Sequence, residues 1–503
     1  KFFDVVTYTG NGSARTIAHN LGSVPGCIIV KRTDTTGDWQ VYHQSLGATK
    51  NIVLNSTSEA TTTSTRWNDT APTSSVFTIG VSNTVNNPGS TYVAYLFAHN
   101  AGGFGLTGTD NVISCGSYTG TSTVGNEINV GFEPQFIIIK RATGTAENWV
   151  MFDNMRGIAT GGNDAILYPS GSFAEYDAGN YLGLTATGFK IEGSSLNVSG
   201  DTYIYIAIRR GPMKTPTDGT KVFSPNAVST DSSAVTTNFP VDLSFESPRS
   251  GSSNIFAQDR LRGANKILYT YNTDAESTAA GSASNFQSNT SVQPEIYGGG
   301  TSLIFWNFRR APGFFDEVCF SGSGTAPPVT HNLGVVPELI IQKNRNGGAF
   351  GNWFAFNSTQ YLVLNLNNAA TSYSSAITST TFQPVTQSGG TNYVAYLFAS
   401  APGVSKVGTY TGNGTTQAIA CGFTGGARFV LIKRTDSTGD WYVYDTARGM
   451  TVLTDPYLLL NSTAAETATL GSVITSTGGF TVNAAILAAI NTSGASYIFL
   501  AIA

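Results

Sequence analysis

Residues able to do chemistry are few and scattered in this chain of 503 residues. It holds four histidines (His19, His43, His99, His331) and four cysteines (Cys27, Cys115, Cys319, Cys421). A metal centre needs several such ligands to converge. His19 and His331 instead share one position of a repeated His-Asn-Leu-Gly turn, where imidazole and amide bond nearby backbone. A nucleophilic thiol needs a partner histidine, and no family-specific motif surrounds any of the cysteines. The four read as small buried apolar residues in a chain folded under reducing conditions. No Gly-x-Ser-x-Gly elbow occurs. Acidic residues are too scattered to suggest the paired carboxylates of a glycosidase, about 5–9.5 Å apart. Gly103-Phe104-Gly105-Leu106-Thr107-Gly108 matches a dinucleotide fingerprint, but that motif works only where it opens a helix. Here Thr109-Asp110-Asn111-Val112 leads into another β-rich segment, so the glycines read as a linker. No enzyme activity, metal or cofactor is expected.

Two recurring elements could touch a partner. Asp-x-x-Arg-Gly occurs at Asp153–Gly157, Asp259–Gly263 and Asp445–Gly449. Arg156, Arg262 and Arg448 could each hold an anionic group. Alternatively, Asp pairs with Arg across a turn, an exposed pair contributing at most about 1 kcal/mol. Trp39, Trp149, Trp353 and Trp441 occupy one equivalent position and are expected in the core, packing two sheets. Trp67 lies in a Ser/Thr-rich stretch and is the better candidate for a surface platform. Asn-x-Ser/Thr triplets at Asn55, Asn357 and Asn461 arise from composition and are not read as glycosylated.

The elements that carry these residues repeat, and repeats decide the fold. "FFDVV" at Phe2 returns as "FFDEV" at Phe314, and His19-Asn20-Leu21-Gly22 returns as His331-Asn332-Leu333-Gly334, both at an offset of 312. Tyr92–Ala98 is identical to Tyr393–Ala399. A second pair relates Trp149 to Trp441 and Asp153–Gly157 to Asp445–Gly449, at an offset of 292. "KRTDTTGDW" from Lys31 and "KRTDSTGDW" from Lys433 tie the two pairs together. A divergent stretch between them keeps Asp259–Gly263 and ends in Leu303–Arg310. The organisation is five tandem modules, A1 (1–104), B1 (105–213), C (214–312), A2 (313–404) and B2 (405–503). Each has a usual domain size of roughly 100 residues. Short β-branched and aromatic runs such as Cys27–Val30 and Phe136–Ile139, bounded by Gly and Pro, are strands. Around Trp39, the side chains of Trp39, Val41 and His43 face one way, and those of Gln40, Tyr42 and Gln44 the other. The expected fold is all-β: a string of antiparallel β-sandwiches.

Composition narrows the function. Charged residues make up 12% of the chain, against about 25% in a typical soluble protein. With 27 basic and 31 acidic residues and no dense basic run, a nucleic-acid partner is not expected. No apolar stretch approaches the roughly 18 residues of a spanning helix, so membrane insertion is not expected either. The chain opens on Lys1 with no signal peptide, which suggests that upstream sequence is missing or was removed.

The set "YTGNG…HNLG…VP…IIVKRTDTTGDW…YVAYLFA", alternating with "FIIIKR…W..FD..RG…YIYIAI", resembles a domain of uncharacterised function. That domain occurs in tandem in tail-fibre-like virion proteins of marine tailed bacteriophages. The resemblance covers four modules well and C poorly, and it carries no catalytic or binding residues. It implies a non-enzymatic virion structural protein, a tail fibre or similar appendage, that contacts the host surface. Its partners would be other virion proteins, further copies of itself, and a host glycan or protein receptor. A capsid decoration or spacer without a receptor, or a bacterial adhesin or filament protein, are the alternatives.

Overall fold

The computed structural model describes the chain except residues 231–233, 251–253, 264, 279–285, 293–301 and 349–350. In A1 the strands are β1 (Phe3–Thr9), β2 (Arg15–Ala18), β3 (Pro25–Arg32), β4 (Gln40–His43), β5 (Lys50–Val53), β6 (Thr61–Thr62), β7 (Val76–Ile79) and β8 (Thr91–Ala98). The large sheet runs β1-β8-β3-β4-β5-β6, all antiparallel, and β2 pairs with β7 in a small second sheet. Alternation explains the layering. Tyr92, Ala94, Leu96 and Ala98 of β8 are buried, while the residues between them are half-exposed. The buried set packs on Ile17, Phe77 and Ile79 of the small sheet, giving the two-layer arrangement that lets a sheet bury one face.

The same plan recurs. The ten sheets seen among the described residues each draw their strands from a single one of the five sequence modules. The divergent module C keeps the strand order of A1: Phe223–Val228, Leu303–Phe308, Leu243–Pro248, Phe256–Asp259, Lys266–Tyr269, Ser277–Thr278. The His-Asn-Leu-Gly turns also match. His19 Nδ1 accepts the Leu21 N–H at 3.3 Å and His331 Nδ1 accepts the Leu333 N–H at 3.2 Å. An aspartate on the first strand (Asp4, Asp316) accepts the next amide, Asn20 or Asn332, at 2.7 Å. In the Gly103–Gly108 loop, Phe104 bridges to Asp110, and Gly103, Gly105 and Gly108 adopt positive φ. That is a turn leading to the Ile113–Thr119 strand, with no helix.

Folding goes further than a string of independent sandwiches. The chain forms two compact units, Lys1–Met213 with A1 and B1, and Lys214–Ala503 with C, A2 and B2. The large sheets bury their outer face against a neighbouring module. Leu303–Phe308 of C is buried at every position, as are Leu339–Asn344 and Tyr393–Phe398 of A2. Strands covered on both faces read as continuous apolar runs. In the second unit one apolar cluster draws on all three modules. At its heart the Phe308 ring lies 4.9 Å from Phe223, 5.6 Å from Phe315, 5.7 Å from Phe398 and 6.1 Å from Phe429.

Candidate functional site

The recurring residues converge on the seams between modules. Each seam joins what we call the tryptophan side of one module to the loop side of another. Trp149 Nε1 of B1 donates to the Val53 carbonyl of A1 at 2.9 Å. Trp353 Nε1 of A2 donates to Tyr269 of C at 2.8 Å, and Trp441 Nε1 of B2 to Val363 of A2 at 3.4 Å. A lysine from the strand beside each tryptophan reaches the same neighbour. Lys140 bonds the Thr57 carbonyl at 2.8 Å, Lys343 that of Asn272 at 3.3 Å, and Lys433 those of Asn367 and Asn368 at 3.1 and 2.9 Å. Burial pulls each of these ammonium groups down to about 8. Lys140 and Lys433 were visible in the sequence only inside repeated Lys-Arg motifs; their seam role was missed.

A fourth seam, from C to B2, closes the second unit into a ring in which every module touches the other two. C has Ile255 at the tryptophan position and uses Trp306 of its last strand, whose Nε1 donates to Asp445 Oδ2 at 2.9 Å. Arg249 grips Glu466 with two bonds, of 3.0 and 2.9 Å. One main-chain bond is common to all four seams: Ala60 to Ala142, Glu276 to Arg345, Ala370 to Thr435 and Glu466 to Arg249, at 2.8–3.1 Å.

The Asp-x-x-Arg-Gly elements lie on loop sides. Arg262 and Asp259 have fully buried side chains, as do Arg448 and Asp445. Asp259 also accepts the Tyr396 hydroxyl of A2 at 2.6 Å. The Arg448 guanidinium stacks over Trp306 at 5.5 Å. Glu276 bridges Arg262 to Arg345, and Glu466 bridges Arg448 to Arg249. Arg262 and Arg448 are therefore not surface contact residues: the adjoining module covers them, which no local sequence pattern reveals. Arg156 alone keeps partial exposure, 19%, pairing with Asp153 at 2.6 Å and Glu175 at 3.2 Å.

The tryptophans are corrected as well. Trp149, Trp353 and Trp441 are buried, but in clusters shared with the neighbouring module rather than between the two sheets of their own. Trp39 remains half-exposed. Trp67 is 1% exposed and cannot serve as a surface platform. It ends a short helical turn, Ser64–Trp67, capped by Thr63 and closed by Asn68 at φ 51°. That turn drives the indole into the A1 core, edge-on to Tyr42 at 5.9 Å. The Thr63 cap and Asn68 were the available signals.

His43 sits in the seam of the first unit. Its Nε2 meets the Tyr205 carbonyl at 3.1 Å and its Nδ1 accepts the Ser45 N–H at 3.3 Å, an arrangement of the neutral ring. Burial, with nearby His99 adding to it, pulls the ring down to about 4. The folded value lies below the unfolded one, so this contribution is fully present above about pH 6.5 and lost as pH falls through about 4. At 1.36 kcal/mol per pH unit the loss totals about 3 kcal/mol. The difference in unfolding free energy between wild type and His43→Gln, read from urea denaturation, is expected to change by that amount between pH 7.5 and 4. An unchanged difference would remove His43 as a source of acid lability.

The one cleft we single out lies in B1. It holds about 170 Å³ and is lined by Arg141, Glu147, Asn148, Tyr168, Tyr181 and Tyr203, among others. Arg141 pairs with Asp201 and lies 3.9 Å from Glu147. Three phenol rings and the Arg141 and Glu147 side chains line it together. Among the described residues no three His, Cys, Asp or Glu side chains are placed to hold a metal ion. No helix among them is long and apolar enough to cross a membrane.

Fold and seams together define the class: a multi-module antiparallel β-sandwich protein whose modules fuse through one repeated interface. The chain belongs to a family described as a domain of unknown function (DUF7483), matched over residues 2–212 and 216–503. The two matches follow the two compact units, so a single match spans several modules. No curated protein and no solved structure matches the chain.

Proposed function

We propose that this chain is a structural, non-enzymatic component of a bacteriophage virion, a tail fibre or similar appendage, that contacts the host cell surface. The observation that carries this reading is the seam, built four times from a main-chain bond and a buried indole, with a lysine-to-carbonyl contact in three of them and the Arg249–Glu466 pair in the fourth. Such repetition builds a stiff scaffold from sequence-tolerant modules. Ser, Thr, Asn and Gly keep the remaining surface hydrated with few charges. The B1 cleft is the place for a host glycan, and linked copies would multiply weak contacts. Immunogold electron microscopy with antibody to the chain tests the assignment. Label on phage particles is the expected result, and label confined to cell-surface filaments would replace this reading with that of an adhesin.

A further inference from the structure

Five modules have ten sides, and the four seams occupy eight of them. The two left over are both in the first unit: the tryptophan side of A1 and the loop side of B1. They carry the same parts as the occupied sides. On A1, Trp39 stacks on Tyr95 at 6.2 Å with Lys31 over its ring at 5.9 Å, matching Lys343 over Trp353 at 5.6 Å. Lys31 bonds the Gly37 carbonyl of its own module; Lys140, Lys343 and Lys433 make the same own-module bond, to Glu147, Gly351 and Gly439, and reach a neighbour as well. No acceptor meets Trp39 Nε1 among the described residues. On B1, Asp153, Arg156 and Glu175 reproduce Asp445, Arg448 and Glu466. Their side chains are 26%, 19% and 41% exposed, against 0%, 0% and 15% for the B2 set under module C.

The second unit shows what covers both kinds of side at once. Module C stands between A2 and B2, receiving Trp353 and Lys343 on its loop side and giving Trp306 and Arg249 from its other side. We propose that the A1–B1 unit is a docking site for one further sandwich module of the C kind. Its loop carbonyls take Trp39 Nε1 and Lys31 Nζ, its aromatic N–H donor meets Asp153, and its basic side chain meets Glu175. A second copy of the whole chain is the poorer occupant, because C, A2 and B2 of that copy already have both sides engaged and its A1 and B1 have one each.

The repeat register supplies the test. Gly313-Phe314-Phe315 aligns with Lys1-Phe2-Phe3, so residues 214–312 joined in front of Lys1 of the full chain recreate the C-to-A2 junction. In this extended chain, amide exchange of Glu175 and of Lys31–Asp34 should slow at least about tenfold against the original chain. Acrylamide quenching of Trp39 should fall in step. Glu175→Arg in the extended chain, or Trp306→Phe in the added module alone, should reverse the protection without changing the melting of residues 214–503. Exchange and quenching identical in the two chains overturn the proposal. So does sedimentation showing that the original chain pairs with itself through these sides and loses that pairing on Glu175→Arg.

Discussion

Asp445→Ala will destabilise the second unit by about 3–5 kcal/mol, whereas the equivalent Asp153→Ala will cost about 1 kcal/mol or less. The motif is the same and its setting differs. Asp445 accepts the Arg448 Nε at 2.7 Å, the Arg448 amide at 3.0 Å and the Trp306 indole at 2.9 Å, with both ionic side chains fully buried. Removing the carboxylate strands part of a buried guanidinium charge and a buried indole N–H, and water cannot replace the lost partner. Glu466, at 3.2 Å from Arg448, offsets part of the loss. Asp153 and Arg156 keep contact with solvent, which screens the exposed guanidinium. Urea denaturation of both variants reads the contrast directly. Equal costs would mean that the seam does not govern the energetics of this motif.

Phe308→Ala has a comparable cost, about 3–5 kcal/mol, and a further consequence. The ring touches Phe223 of its own module, Phe315 and Phe398 of A2, and Phe429 of B2. A cavity there weakens three modules together, and the surrounding sheets can collapse only partly to fill it. Denaturation of the second unit is expected to lose cooperativity, with a lower m-value as modules begin to unfold separately. Phe97, at the position corresponding to Phe398, is half-exposed in the first unit, so Phe97→Ala should cost less than half as much. A single sharp transition with an unchanged m-value in Phe308→Ala would show that the shared cluster does not couple the modules.

Much of the architecture was legible because it is written locally. Alternation in Tyr92–Ala98 and the apolar run Phe136–Ile139 mark strands wherever they occur, since successive side chains of a strand point to opposite faces. The split of Trp39, Val41 and His43 from Gln40 and Tyr42 was also readable. Val41 lies in the seam cluster and Tyr42 in the sandwich core. The site was less legible. Trp67 looked exposed because its neighbours are polar, yet one helical turn suffices to invert an indole from solvent to core. Arg262 and Arg448 looked like surface arginines because a turn motif carries no record of what lies above it.

By itself, the sequence determined the all-β class and the repetition of its motifs, because strand periodicity and repeat spacing are short-range properties of the chain. It also determined that tryptophan recurs at one place. Only the tertiary structure decided that this place is a seam, that three modules close on one another around Phe308, and that the same Asp-x-x-Arg turn is buried twice and half-exposed once. Those distinctions come from contacts between modules, between groups as far apart in the chain as Val363 and Trp441 or Trp306 and Asp445. Burial by a neighbouring module is a property of the assembled fold, and no window of sequence contains it.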